Sequence, residues 1–269
     1  MHRLLSGGRR PRPSQRSDPR GRAVGQRQRP PVASHASGII GGMATHAVTK
    51  DSPDRERAIE ICRRLGGLWP EAHIALDWDT PWHLLVAVIL SAQTTDVGVN
   101  RVTPVLFDKY PDPRDLAAAD PSDVEAIVKP TGFYHNKTKS IVGASRMIVT
   151  EFDGRVPDTM EELMRLPGVA RKSANIVLTS AFGKVEGIAV DTHVKRLAGR
   201  LGFSKATDPD KIERDLMALL PHEWWGSFNF RFINLGRNIC TAKRPICGGC
   251  PVNDLCPSAF QIPGWRAEA

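Results

Sequence analysis

The stretch ELMRLPGVARKSANIVL, residues 162–178, specifies a helical hairpin at the centre of this chain. Pro167 ends a helix because its ring removes a backbone donor, and Gly168 supplies the conformational freedom that a tight turn requires. The residues after the turn return to a helical pattern, so the stretch predicts helix, hairpin, helix. The first N–H groups of the second helix then face outward, where the helix dipole favours an anion such as a phosphate.

Helix-start signals recur from residue 54 onward, and no convincing strand alternation interrupts them. Thr80-Pro81 opens the apolar segment WHLLVAVILSAQ (82–93), which predicts a central buried helix. Further helices are expected after Thr95, Asp120 (with a Ser122–Glu125 capping box), Asp158 or Thr159, Asp191 and Asp208, and within residues 171–182 and 223–239. The predicted fold class is all-α.

Four of the five cysteines lie within seventeen positions, at Cys240, Cys247, Cys250 and Cys256. Thiolates bunched this closely repel one another, so they indicate a metal centre. Zinc modules usually pair their ligands as two C-x2–4-C knuckles, whereas here only one C-x2-C occurs and the other two cysteines come singly. The spacing favours a [4Fe–4S] cluster, with structural zinc and disulfides as the alternatives. Cys62 is assigned to packing.

The positive charge of the chain is concentrated at its N-terminus. Residues 1–50 contain ten basic residues and one acidic residue, whereas residues 51–269 contain 27 basic and 28 acidic residues. Residues 1–52 are predicted to be a disordered basic tail, because they are too polar to bury a core. A phosphate-binding arm, a transit peptide and a false start upstream of Met43 all fit this tail. Any DNA-binding surface on the rest of the chain must be a local patch, and no apolar run is long enough to span a membrane.

Two ionisable residues, one within the hairpin stretch and one after it, are candidates for a chemical role. Lys172 lies one residue into the second helix, where the positive helix end and the adjacent Arg171 both disfavour an ammonium ion. Asp191 comes nineteen residues later, at the predicted start of another helix in AVDTHVKRL (189–197). Taken alone, the first is more typical of a phosphate contact and the second of a helix cap. Their assignment depends on the combination.

The hairpin with its lysine, the V-D-T-H segment and the cysteine loop together resemble the endonuclease III family, the iron–sulfur DNA glycosylase/lyases of base excision repair. The resemblance runs from about residue 54 to Cys256 and includes LSAQTTDVGVN (90–100) and TGFYHNKTKSI (131–141). It implies an enzyme that removes oxidised pyrimidines through a lysine Schiff base and cleaves the strand 3′ to the abasic site by β-elimination. The expected partner is double-stranded DNA with damaged pyrimidines or abasic sites, and the expected cofactor is a [4Fe–4S] cluster. A monomer without membrane association is expected, cytoplasmic and nucleoid-associated if bacterial.

The resemblance carries the nucleophile onto Lys172, the catalytic carboxylate onto Asp191 and cluster ligation onto the four clustered cysteines. Gln93 resembles a plug that fills the space left by an extruded nucleotide, and Phe133 resembles a wedge against the opposite strand. Further DNA contacts are expected at the hairpin and in the first cysteine loop, at Leu166, Gly168, Ala170, Arg171, Lys243 and Arg244. The family hairpin usually reads L-P-G-V-G. Because Ala170 replaces its last glycine, we expect this residue to keep a negative φ.

The resemblance also implies two interleaved domains. A six-helix domain with the helix-hairpin-helix is expected at residues 74–186, and the cluster domain is expected to combine a helix at 53–73 with residues 187–269. Lys172 and Asp191 would then face each other across the cleft between the domains.

Two other functions compete with this interpretation. Adenine mismatch glycosylases share the cluster but lack the lysine, so Lys172 argues against that branch. A non-catalytic, cluster-bearing DNA-binding or redox-sensing protein would not require the pair formed by Lys172 and Asp191.

Overall fold

The computed structural model describes residues 48–268, and in this range the chain consists of helices and the turns between them. No β-strand occurs among these residues, so the all-α prediction is confirmed. The α-helices are α1 (Asp54–Leu68), α2 (Pro81–Leu90), α3 (Asp96–Lys109), α4 (Pro113–Ala117), α5 (Pro121–Val128), α6 (Tyr134–Glu151), α7 (Met160–Arg165), α8 (Arg171–Val177), α9 (Thr192–Leu201), α10 (Pro209–Leu219) and α11 (Trp225–Asn238).

The predicted helix starts are confirmed where a side chain accepts a hydrogen bond from the first turn. These capping residues are Thr80, Thr95, Asp120, Thr159, Asp191 and Asp208. The capping box predicted at the start of α5 is wrong. Asp120 Oδ1 itself accepts from the Ser122 N–H at 2.8 Å, and the Glu125 carboxylate binds His135 instead. One cap therefore satisfies this helix end.

Two helices, α1 and α2, end earlier than predicted. α1 stops at Leu68 instead of reaching residue 73, and α2 stops at Leu90 instead of Gln93. At the end of α2 the Ser91 hydroxyl donates back to the Val88 carbonyl at 2.8 Å, which is a helix-terminating bond that competes with continuation. The helical segment 171–182 is continuous, but its last turn, Leu178–Phe182, widens to a π-helix.

Two helices were not predicted. The short α4 begins at Pro113 and is capped by the Asp112 carboxylate, and it raises the number of α-helices between residues 74 and 186 from the expected six to seven. α6 is 18 residues long but has no side-chain cap, because Phe133 at its start has no hydrogen-bond acceptor in its side chain. The backbone of Phe133 is left-handed, with φ of 48°. Helix-start signals based on Ser, Thr, Asp or Asn therefore miss it.

The buried apolar side chains form two clusters. One draws its members from residues 76–189, and the other draws them from 58–65 and 188–255. α1 therefore packs with the C-terminal helices rather than with α2, the next helix in the chain. We propose that the two clusters are the cores of the two predicted interleaved domains.

Most of the predicted N-terminal tail lies outside the described residues, which exclude 1–47 and 269. Residues 48–52 of this tail are described, and Val48 packs against the second hydrophobic cluster, while the boundary at residue 52 stays a prediction. The following turn is closed by hydrogen bonds between Thr49 and Ser52, at 3.0 and 3.1 Å. Within residues 48–268 no helix is long and apolar enough to cross a membrane.

Candidate DNA-binding and catalytic site

The hairpin between α7 and α8 depends on Gly168. Its φ is 80°, in the left-handed region that residues with a Cβ rarely adopt. A Cβ added there would also lie 2.7 Å from Ser140 Cβ and 3.2 Å from Ile89 Cγ2. The turn can therefore pack against α2 and α6 only because residue 168 has no side chain.

Ala170 begins α8 with a φ of −101°, so the prediction that this residue keeps a negative φ is confirmed. Its side chain cannot accept a hydrogen bond, and no other side chain caps this helix start. The N–H groups in the first turn of α8 consequently keep their hydrogen-bonding capacity, next to the exposed backbone of Gly168 and Ala170.

Lys172 is exposed in the first turn of α8 and makes no hydrogen bond or ion pair with the described residues. Asp191 is half-exposed at the start of α9, where its Oδ1 accepts from the Val194 N–H at 2.8 Å. The backbone that leads to Asp191 runs beside α8, because Gly187 and Ala189 line one small cavity together with Asn175 of that helix. The amine and the carboxylate do not form an ion pair with each other.

Arg171 forms an ion pair within the structure, and its predicted contact with DNA stays a prediction. Its guanidinium donates to both oxygens of Glu213 in α10, at 2.6 and 3.3 Å, and this hydrogen bonding raises its pKa. The Glu213 side chain is only 5 % exposed and also accepts from Asn175 at 2.8 Å. The Arg171 charge is therefore balanced by a carboxylate, which weakens the predicted influence of this neighbour on Lys172.

Gly187 allows this carboxylate to reach α8. A Cβ at residue 187 would lie 2.0 Å from Glu213 Oε1, so any side chain there would displace the carboxylate. Sequence reasoning missed Glu213, because a glutamate within an amphipathic helix pattern gives no sign that it is buried.

Leu166 is 2 % exposed and belongs to the first hydrophobic cluster. Its N–H and carbonyl bond to Leu163 and Val169 within the hairpin. Leu166 therefore helps to hold the hairpin in place, and its predicted contact with DNA stays a prediction.

Gln93 and Phe133 are both exposed and both have a left-handed backbone, with φ of 54° and 48°. Such a conformation costs a residue with a Cβ about 1–3 kcal/mol, and it is typical of functional sites. Phe133 is 64 % exposed, so packing in the core does not explain this aromatic side chain. The structure places Gln93 in the turn after α2 and Phe133 at the start of α6.

The four clustered cysteines line one cavity of about 280 Å³, including space open to solvent. Its other walls are mainly apolar, formed by Ile239, Pro245, Ile246, Ala259 and Ile262. All five cysteines of the chain are free thiols, so the disulfide alternative is wrong. No three His, Cys, Asp or Glu side chains among residues 48–268 are placed to hold a single metal ion. The sulfurs thus surround a space, as a cluster requires, and do not meet at one point.

Burial raises the pKa of Cys250 to about 12 and also raises that of Cys256. An iron centre offsets this cost, because it replaces the thiol proton and binds the thiolate. The donor set and its apolar surroundings therefore fit an iron–sulfur cluster.

Two arginines of α9 hold Cys240, the first of the four cysteines that line the cavity. Arg200 donates to Cys240 Sγ at 3.1 Å and to the Thr241 and Ala242 carbonyls, both at 2.8 Å, while Arg196 donates to the Cys240 carbonyl at 3.1 Å. These contacts were not predicted from the sequence. Basic residues on a helix are ordinarily solvated, and only the tertiary structure shows which of them turn toward the cysteine loop.

Lys243 and Arg244 lie in the loop between Cys240 and Cys247. Both side chains are exposed, and neither makes a hydrogen bond or ion pair within residues 48–268. They remain available for phosphate contacts.

Two family models match this chain. Residues 86–222 match the HhH-GPD superfamily of base excision DNA repair proteins, and residues 240–256 match the iron-sulfur binding domain of endonuclease III. The curated endonuclease III of a Synechocystis species is 55 % identical over 210 residues, which cover 78 % of this chain and 96 % of that protein.

The chain belongs to the endonuclease III family. Endonuclease III of Bacillus subtilis is 44 % identical over 202 residues, covering 74 % of this chain and 92 % of that protein. A solved structure described as a trapped endonuclease III–DNA covalent intermediate has 40 % sequence identity and a TM-score of 0.73, and it covers 77 % of this chain and 97 % of that one. The residues that match the iron–sulfur model begin at Cys240 and end at Cys256, and this segment holds a [4Fe–4S] cluster.

Proposed function

We propose that this protein is a bifunctional DNA glycosylase and abasic-site lyase that removes oxidised pyrimidines from double-stranded DNA. Membership of the endonuclease III family supports the glycosylase and lyase activities. The observation that carries the catalytic assignment is the position of Lys172, exposed and unpaired in the first turn of α8. The segment that leads to Asp191 runs beside this same helix, at Asn175.

DNA binding begins with phosphate contacts, which position a protein on the duplex without reading its sequence. The uncapped first turn of α8 and the backbone at Gly168 and Ala170 face one stretch of phosphate backbone. Lys243 and Arg244 contact another. These local contacts suit residues 51–269, which contain 27 basic and 28 acidic residues and so carry no net positive charge.

Base removal requires that the damaged nucleotide leaves the stack and enters a pocket. Gln93 fills the vacated space, and Phe133 wedges against the opposite strand. Both side chains are exposed, and both residues have a left-handed backbone.

The neutral amine of Lys172 attacks C1′ of the extruded nucleotide, and the glycosidic bond breaks as the base leaves with the bonding electrons. The departing base then takes up a proton. Opening of the sugar ring gives a protonated Schiff base between Lys172 and C1′. Loss of a proton from C2′ then expels the 3′ phosphate by β-elimination.

The Asp191 carboxylate stabilises positive charge that develops on the sugar, and it moves protons to and from Lys172. One of its oxygens caps α9, which fixes its orientation, and the other oxygen accepts no hydrogen bond from the described residues. The [4Fe–4S] cluster holds the segment with Lys243 and Arg244 in shape and takes no part in the bond changes. The enzyme acts as a monomer, and in a bacterium it works on the DNA of the nucleoid.

A borohydride trap tests this function. The protein is incubated with a duplex that contains one oxidised pyrimidine and is then reduced, which converts a Schiff base into a stable protein–DNA adduct. We expect an adduct with the unmodified protein and none with Lys172→Arg, which keeps the positive charge but has no nucleophilic amine. Base removal should fall by about a thousandfold or more.

The combination of DNA binding, adduct formation and base removal separates the competing functions. A protein that binds the duplex but gives neither adduct nor base removal would be a non-catalytic DNA-binding protein. Removal of adenine from a mismatch without an adduct would place the activity in the adenine mismatch branch. Full activity in Lys172→Arg would show that residue 172 serves only as a phosphate contact.

A further inference from the structure

The two strained turns that carry Gln93 and Phe133 come from distant parts of the sequence, yet they are bonded to each other. Thr94, which directly follows Gln93, donates its hydroxyl proton to the carbonyl of Thr131, two residues before Phe133. A left-handed backbone in residues with a Cβ persists only where the surrounding contacts enforce it. The contacts between these turns are therefore the place to look for what enforces both conformations.

Lys137, in the first turns of α6, joins the two turns. Its ammonium donates to Thr94 Oγ1 at 2.6 Å and to the Thr131 carbonyl at 2.7 Å. Its backbone N–H donates to the Phe133 carbonyl at 3.1 Å. One residue thus holds the chain on both sides of Phe133 and also the residue next to Gln93.

The Lys137 side chain is buried, with an exposure of 5 %, and burial lowers the pKa of its amine. No carboxylate among residues 48–268 pairs with it, and its two hydrogen-bond acceptors are neutral oxygens. A buried ammonium without a counter-ion is costly, so a role in general stability explains it poorly. Because it is covered, it also cannot act as an ordinary phosphate contact.

We propose that Lys137 is a positioning residue that sets the spacing between Gln93 and Phe133, so that the plug and the wedge enter the duplex as one rigid unit. This inference rests on the proposed function. A fixed spacing removes the need to order two separate turns when DNA binds, and such pre-organisation favours the bound state. Lys137 touches neither the extruded base nor the sugar, and it acts only through the two turns.

The test uses two variants and one matched control. Lys137→Met removes the ammonium but keeps an unbranched side chain, and Thr94→Val removes the bridging hydroxyl but keeps its shape. Lys139→Met is the control, because Lys139 is exposed on the same helix and has no partner among the described residues. Iron absorbance and the melting temperature check that each variant folds. Thr94→Val provides the answer if Lys137→Met does not fold.

Single-turnover base removal is measured on two duplexes, one with the lesion paired to a normal base and one with the lesion opposite a missing base. The second duplex presents no base for the wedge to displace. We expect Lys137→Met and Thr94→Val to lower the rate on the paired lesion by about tenfold or more, and the rate opposite the missing base by much less. Lys139→Met should change both rates equally.

Coupling between Gln93 and Phe133 gives a second readout, which a purely structural role for Lys137 would not change. In the protein with Lys137 intact, the double variant Gln93→Ala/Phe133→Ala should lower the rate of base removal by less than the product of the two single effects, because the two side chains act as one unit. In Lys137→Met, the effect of the double variant on this rate should equal the product of the two single effects.

The inference is wrong if Lys137→Met matches Lys139→Met on both duplexes, or if the coupling survives without Lys137. If the unmodified protein removes no base from either duplex, the proposed function itself fails, and the inference fails with it.

Discussion

Gly168 meets two separate requirements at the turn of the hairpin. Its φ of 80° suits a residue without a Cβ, and the neighbouring Ser140 leaves no space for one. Ala170, two residues later, meets neither requirement, because its φ is −101° and it is exposed. The two positions therefore respond differently to the same kind of change, although both are glycine in the usual family hairpin.

We predict that Gly168→Ala lowers the free energy of unfolding by about 2–4 kcal/mol, from the combined cost of a left-handed alanine and an overlap with Ser140. Urea unfolding followed by far-UV circular dichroism measures this difference. Ala170→Gly is the control and should change stability by less than about 1 kcal/mol. Equal effects at the two positions would contradict this explanation of the turn.

Among the secondary-structure elements, α8 is held by α10 at the position next to the proposed nucleophile. The buried carboxylate of Glu213 binds Arg171 and Asn175, and it occupies the space that Gly187 leaves free. Lys172 shares the first turn of α8 with Arg171. The tie between these helices therefore sets where the amine stands relative to Asp191.

We predict that Glu213→Gln destabilises the protein by about 1–3 kcal/mol, because Arg171 loses hydrogen bonds to a charged partner. Part of the Arg171 side chain reaches solvent, which keeps the loss below that of a fully buried pair. Base removal should slow more than DNA binding weakens, since α8 shifts relative to α9. Urea unfolding, a binding titration and single-turnover rates measure the three effects.

Asp210→Asn is the matched control for that prediction. Asp210 lies on the same helix, is exposed and also acts electrostatically on Arg171, but it does not bond to it. We expect no measurable change in stability or rate. If Asp210→Asn had the same effect as Glu213→Gln, net charge near Arg171 would matter and the hydrogen-bonded tie would not.

At the scale of the whole molecule, the cysteine segment is hydrogen-bonded to two helices of the second hydrophobic cluster, α1 and α9. Arg64 of α1 donates to both oxygens of Asp254 at 2.7 and 2.9 Å, and Arg200 of α9 holds the loop after Cys240. Arg57 of α1 also donates to the Leu255 carbonyl at 2.9 Å. Loss of the cluster should therefore affect α1 as well as the C-terminal helices.

We predict that Cys250→Ala loses iron and the visible absorbance of the iron–sulfur cluster. The part of the protein around the second hydrophobic cluster should be destabilised by at least about 4–5 kcal/mol, as expected for loss of a metal centre. Hydrogen exchange should show that α1, α9 and α11 lose protection together, while α2 and α6 keep theirs. Cys62→Ala is the control. It removes another buried thiol of the same hydrophobic cluster, and it should keep iron and lose about 1 kcal/mol. Full stability of iron-free Cys250→Ala would refute a structural role for the cluster.

The sequence alone determined what depends on local chemistry. Gly168 after Pro167 specified the hairpin, Asp and Thr caps marked most helix starts, and the spacing of the cysteines indicated an iron–sulfur cluster. These features could be predicted because each depends on a few residues that are close together in the chain. α6 was missed for the same reason, since it begins at Phe133 without a capping side chain.

Only the tertiary structure decided which charged side chains are buried and what they bind. Arg171 faces Glu213, Arg200 faces the Cys240 loop, and Lys137 bridges the turns next to Gln93 and Phe133. The separations in sequence are 42 residues for Arg171 and Glu213, 40 for Arg200 and Cys240, and 43 for Lys137 and Thr94. No helical or strand period connects residues that far apart. A buried charge and a solvated charge look alike in a sequence, because burial depends on what the rest of the chain packs against it.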